Sequence, residues 1–146
     1  MTSPLRDAYN AHAQLDIVGL KINYGLDDVP NDPPTSRGLP CLLPAFVEQS
    51  SQFQLLAVSA GQNDQEFTPS FVLLYKDVSD EPGAHVIAGT LVDLFWHYTV
   101  AIAGNSDLDD TLANDTQYTA EFGVFPYLGR EYLGIKFTHT WRFIVD

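Results

Sequence analysis

The chain has one cysteine in 146 residues, Cys41, so no disulfide can form within it. That cysteine sits in Leu39-Pro40-Cys41-Leu42-Leu43-Pro44, an oily setting that raises a thiol's pKa and leaves it inert. A His/Cys zinc site needs several cysteines and is excluded as well. Cations are scarce: 7 Lys and Arg stand against 19 Asp and Glu, for a net charge of −12. That balance argues against gripping nucleic acid, because phosphate binding needs clustered Lys and Arg, although an acidic passage that does not hold the polymer stays open. No apolar run approaches the roughly 18 residues that span a bilayer, so no membrane contact is expected. The first residues, Met-Thr-Ser-Pro-Leu-Arg-Asp, lack the basic and apolar regions of a secretion signal. With the lone cysteine, this gives the expectation of a chain made in a reducing cytoplasm. Catalytic signatures are missing too. There is no G-x-S-x-G, no glycine-rich phosphate loop, and no H-E-x-x-H among His12, His85, His97 and His139. The expectation is a protein that is not an enzyme and uses no cofactor and no metal.

What is present is a folded composition, 45% hydrophobic and 18% charged, in a length that makes one domain over residues 1–146. The most informative stretch is Glu131 to Asp146. Leu133, Ile135, Phe137, Trp141, Phe143 and Val145 occupy every second position, broken only by His139. Successive strand side chains point to opposite faces, so this is a long strand with one oily face, and it needs a sheet to join. Upstream, Ser3-Pro4 caps a first helix whose face is Leu5, Ala8, Tyr9 and His12, with His12 read as a satisfied core-edge histidine. Ile17 to Tyr24 reads as a strand, followed by the loop Gly25 to Gly38, whose Asp27, Asp28 and Asp32 are either a solvated acidic surface or a cation site.

Leu39 to Glu48 reads as a strand with Pro40 and Pro44 four apart. Both missing N–H groups then face one edge, which should be unpaired or loosely paired: a sheet edge, or a strand beside a crossover. Gln52 to Val58 and Phe67 to Tyr75 read as strands, with Gly61 to Glu66 turning between them into a projecting hairpin. Phe71 to Leu74, apolar on both faces, mark a doubly covered central strand. Asp77 to Pro82 caps a long helix with the stripe Ile87, Leu91, Leu94, Phe95, Tyr98 and Ile102, ended by Gly104-Asn105. Trp96 and His97 lie off that stripe, as interface residues or as rim aromatics. Asp107, Asp109 and Asp110 form a second acidic loop that resembles a metal cluster only loosely. Gln117 to Phe125 and the terminal strand make a closing hairpin through Pro126 to Arg130. The expected fold is an α/β protein of the α+β type: a single mixed, mostly antiparallel sheet of about five strands, covered by two helices, with a projecting β-hairpin.

Two stretches carry a resemblance. One is Val18 to Pro44, where Tyr24-Gly-Leu-Asp-Asp-Val-Pro30 precedes Leu39-Pro40 and Leu43-Pro44. The other is Tyr127-Leu-Gly-Arg-Glu-Tyr-Leu-Gly-Ile-Lys-Phe-Thr138. With the order of elements, the chain resembles the tail terminator (tail completion) proteins of long-tailed bacteriophages. The resemblance implies a virion protein of the tail and neck, made in the host cytoplasm. It implies a homo-oligomer, a hexameric ring, that caps the tail tube protein, meets the head-neck connector proteins and lets DNA pass without specific binding. Pro40, Pro44, Phe53, Leu55, Phe67 and Trp96 are the candidate subunit contacts. Asp27, Asp28, Asp32, Asp107, Asp109 and Asp110 are candidates for the lumen or an acidic loop. Another head–tail connection protein with a similar sheet, or a small acidic cation- or ligand-binding module, are the alternatives.

Overall fold

A computed structural model describes residues 3–45, 52–59, 62–79 and 84–145, with only the backbone described at 52–59, 62–64, 84–87 and 145. Helix α1 (Pro4–Ala13) starts as its sequence dictates: the Ser3 hydroxyl accepts the Arg6 N–H at 3.1 Å, and Pro4 occupies the first turn, where its missing N–H costs nothing. Its inner face buries Ala8, Tyr9, Ala11 and His12. The strand expected over Ile17–Tyr24 contracts to β1 (Ile22–Asn23). A turn centred on Gly19, with φ +88° and the Leu20 N–H on the Ile17 carbonyl, takes up the preceding residues. It buries Ile17 and leaves Val18 63% exposed, so the apolar alternation there belonged to a turn.

The remaining elements are β2 (Cys41–Pro44), β3 (Gln52–Ser59), β4 (Gln62–Thr68), β5 (Ser70–Asp77), α2 (Ala84–Ala103), β6 (Gln117–Tyr127) and β7 (Arg130–Val145). They form one seven-stranded sheet in which every pairing is antiparallel except β1–β2. The strands lie in five rows. β4 and β5 run end to end along one edge of β7, Phe67 opposite Trp141 and Ser70 opposite Thr138, interrupted only at Pro69. β3 and β2 flank them on the far side, and β1 lies outside β2. β6 takes the other edge of β7, from Gln117 opposite Thr140 to Tyr127 opposite Arg130. The expected turn over Gly61 to Glu66 is corrected. Gln62 to Glu66 belong to β4, whose first residue already lies opposite Ser59, the last of β3. Their polarity suggested a loop, yet both edges of β4 are hydrogen-bonded, to β3 and to β7. Backbone pairing outweighs low β-propensity there.

β2 is an interior strand, flanked by β1 and β5 and buried at every residue. The reasoning from its prolines holds for one side. The Lys21 and Tyr24 N–H groups bond the Pro40 and Leu42 carbonyls, while the Ala45 N–H bonds the Ser70 carbonyl. Residues 40, 42 and 44 therefore face β1, the thinly paired side, and the two absent N–H groups leave β5 pairing intact.

Both faces of the sheet are covered. On one, α1 and α2 bury Phe71, Leu73, Ile135, Phe137 and Trp141. On the other, the acidic, proline-rich segment after β1 lies over Cys41, Leu43, Val72, Leu74 and Tyr132. Two tyrosines pin it there: Tyr127 Oη donates to the Pro30 carbonyl at 2.7 Å and Tyr132 Oη to the Pro34 carbonyl at 2.8 Å. That segment is a layer of the core.

One residue decides how closely β5 and β7 approach. At Gly134 an added Cβ would lie 1.9 Å from the Leu73 carbonyl oxygen, beside a bulge between Leu74 and Lys76. Gly134→Ala forces two central strands apart, a form of overpacking inside the sheet. We expect it to lower the free energy of unfolding by about 3 kcal/mol or more, read from urea denaturation. An alanine variant as stable as the parent would contradict this packing.

Candidate interaction surfaces

The outer face of α2 is unusual for a helix of an acidic protein. Val92, Trp96 and Val100 recur every four residues and are 57%, 61% and 53% exposed. Asp93 is the helix's single Asp, Glu, Lys or Arg. The inner face packs as the sequence stripe required, with Leu91, Leu94, Tyr98 and Ile102 buried. Phe95 reaches sideways to β6, its ring 5.7 Å from that of Phe122. Phe122 and Val124, on that same face of β6, are 46% and 48% exposed. Among the described residues β6 pairs only with β7, so its outer edge is open.

The candidate contacts of the sequence fall in different places. Trp96 is exposed as expected, and His97 beside it is half-buried. Pro44 and Phe67 are buried inside the subunit and present no surface; Phe67 lies against Tyr9 and Trp141. Pro40 is half-buried next to the β1 pairing. Phe53 and Leu55 belong to β3, where their side chains lie outside the described residues. The exposed residues of β6 were not singled out as contacts in the sequence, because an alternating strand was assumed to bury its oily face. α2 covers Tyr118 and Ala120, but beyond the edge contact of Phe95 it leaves Phe122 and Val124 about half exposed.

The acidic loops are tied up by local bonds. Asp27 takes an ion pair from Arg6 at 2.6 Å between exposed groups, worth about 0–1 kcal/mol. Asp28 and Asp32 are exposed. After α2, the Asp109 N–H bonds the Asn105 side-chain oxygen, the Asn105 amide donates to the Asp109 carboxylate, and the Asp110 N–H bonds Asp107. Leu108, Asp109 and Asp110 all have positive φ, which swings Leu108 into the core while the acids stay outside. Among the described residues no group of three or more His, Cys, Asp or Glu could hold a metal ion. No helix among them is long and apolar enough to cross a membrane.

The most polar buried feature is a chain of four side chains. His12 Nε2 lies 2.8 Å from Tyr98 Oη, which also bonds His139 Nε2, and His139 Nδ1 lies 2.8 Å from Thr116 Oγ1. It links α1, α2, β7 and the segment before β6. The Tyr98 hydroxyl has one proton, so it donates to one imidazole and accepts from the other; the two histidines hold complementary tautomers. Phe71 stacks on His12 and Phe137 on Tyr98, both at 3.8 Å between ring centres. Burial lowers the pKa of both histidines, that of His139 to about 3, and the proximity of His139 adds to the effect on His12. Burial likewise raises the Tyr98 pKa. No group here is poised to exchange protons near neutrality. The break at His139 in the oily series, and the place of His12 on an oily helix face, were the available signals; their meeting through Tyr98 was not visible.

A scan against models of protein families and a search of curated proteins found no match.

The buried histidines make stability depend on pH. Below the ordinary histidine value of 6.5 the unfolded chain takes up a proton at His139, while the folded chain stays neutral down to about 3. The unfolded state then binds more protons, so stability is full above 6.5 and falls as pH drops toward 3. Relief of repulsion among carboxylates acts in the opposite sense, equally in parent and variant. We expect the loss on acidification to be smaller in His139→Phe than in the parent, by chemical denaturation across that range. Parallel profiles would contradict the assignment.

Proposed function

We propose that this chain is a structural subunit of a long-tailed phage's tail, a tail terminator that closes with copies of itself into a ring on the end of the tail tube. The order of elements and the stretches around Tyr24-Gly-Leu-Asp-Asp-Val-Pro30 and Tyr127 to Thr138 support the reading through their resemblance to such proteins. The observation that carries it is the distribution of charge. The chain carries a net charge of −12, yet the exposed face of α2 and the flank of β6 display Val92, Trp96, Val100, Phe122 and Val124. Large apolar side chains exposed on neighbouring elements in this way support a protein–protein contact. A ring needs heterologous contacts, one patch meeting a different one on the neighbour. Apolar burial at about 25 cal/mol per Å² offsets the repulsion of like-charged copies.

In such a ring the acids acquire a purpose. Asp28, Asp32, Asp109 and Asp110 are exposed, and several copies around an axis sum their fields. DNA moving through an acidic passage is repelled from the wall and does not adhere. The tail tube protein on one face and the head-neck connector proteins on the other are the partners of this reading, and the virion is its location.

The test is to mix the purified chain with tail tubes lacking their terminator and to examine them by electron microscopy. A ring of density at one end of the tube, with tubes then competent to join heads, is expected. Tubes left bare would contradict the proposal. Binding to isolated head connectors in place of tubes would move the chain to another neck position.

A further inference from the structure

Among the described residues three strands are paired on one edge only: β6 on one side of the sheet, and β3 and the two-residue β1 on the other. We propose that a second copy of the chain adds its β3 to the outer edge of β6, so that the sheet continues from subunit to subunit, with the α2 face packed against the incoming copy.

The turn at Leu128-Gly129, φ +50° and +84°, closes a two-residue hairpin, which makes Tyr127–Arg130 a doubly hydrogen-bonded pair. Counting back in twos, Phe125, Gly123, Glu121 and Thr119 direct their backbone groups at β7. Val124, Phe122, Ala120 and Tyr118 direct theirs outward. An independent bond agrees: the N–H of His139, opposite Tyr118, goes the other way, to the Pro69 carbonyl. β6 runs its whole length against β7 with no register shift. Monomeric proteins blunt such edges with bulges, lysines or prolines. Between Gln117 and Phe125 none of these occurs; Pro126 comes only at the end.

Charge selects the occupant. β3, Gln-Phe-Gln-Leu-Leu-Ala-Val-Ser, carries no charge in a chain of net −12, and its eight residues fit within the eleven of β6. α2 as a whole carries a single Asp, Glu, Lys or Arg, Asp93. With Glu121 on β6 and Asp93 on α2 as their acids, these sparsely charged surfaces let two copies meet with few carboxylates facing each other. A β6–β6 pairing would instead close a two-fold dimer and leave β3 unused; joining unlike edges propagates and can close as a ring. The inference rests on the ring reading for its purpose but not for its geometry.

Val124→Pro tests the edge. Its N–H faces outward, so proline removes no bond to β7 while obstructing an added strand. Sedimentation velocity at moderate salt should show the parent associating beyond a dimer. Val124→Pro and Trp96→Asp should stay monomeric with an unchanged circular dichroism spectrum. As a second readout, Val124→Cys and Leu55→Cys chains, whose positions share the helix face of the sheet by register, are mixed under oxidising conditions, where buried Cys41 does not compete. Disulfides joining the two variants to each other are expected. Association of Val124→Pro equal to the parent's, a parent that stays monomeric, or disulfides only between Val124→Cys chains would each overturn the proposal. If Val124→Pro still forms rings on tail tubes, this contact is wrong and the tail reading stands. If the parent neither associates nor binds tubes, both fail.

Discussion

The structure depends on one strand being hydrogen-bonded along both edges. From Arg130 to Thr140, β7 holds β6 on one side, and on the other β5 takes it from Tyr132 to Thr138. From Trp141 onward it pairs with β4. A strand in that position must have short side chains wherever backbones crowd, and it does so at Gly134, which faces Gly123 across β6 and approaches the Leu73 carbonyl on β5. It must also supply both covering layers. Ile135, Phe137, His139 and Trp141 meet the helices, and Tyr132 anchors the acidic segment on the far side. Every other element is placed by reference to this strand.

The helices are fixed to it by two kinds of contact. Aromatic packing provides most of the area, with Phe137 against Tyr98 and Trp141 against Tyr9. The bonds from His12 through Tyr98 and His139 to Thr116 provide direction. A buried polar chain is costly unless its members are satisfied, and this one reaches both helices, so it favours one docking of each. The α2 docked in this way leaves Val92, Trp96 and Val100 exposed on its outer side. That exposed surface is the one the proposed assembly uses, which connects core packing to the proposal.

The terminal strand, the long helix with its buried stripe, the first cap and the doubly covered β5 were legible in the sequence, because periodicity and capping are local. Phe71 to Leu74 announce burial on both faces by themselves. β1 was overestimated because Val18 and Leu20 alternate like a strand while Gly19 turns the chain. β4 was missed because Gln62 to Glu66 look like a loop and are held by partners on both edges. The back layer was misjudged for a similar reason: Pro30 and Pro34 offer carbonyls to Tyr127 and Tyr132, almost one hundred residues away in sequence. Of the contact candidates, Trp96 was legible from its position off the stripe. Pro44 and Phe67 were not, since a strand residue's surroundings depend on which strands lie beside it. Phe122 and Val124 became visible only when the extent of α2 over the sheet was known.

Amide hydrogen exchange followed residue by residue tests the central role of β7 most directly. Amides paired on both sides and covered by two layers should open only when the whole molecule unfolds. The account predicts that the slowest exchange falls at Ile135 to His139 and their partners Phe71 to Leu73, all with one common free energy equal to that of global unfolding. Exchange at Ile135 to His139 as fast as at β1, with the greatest protection elsewhere, would contradict it.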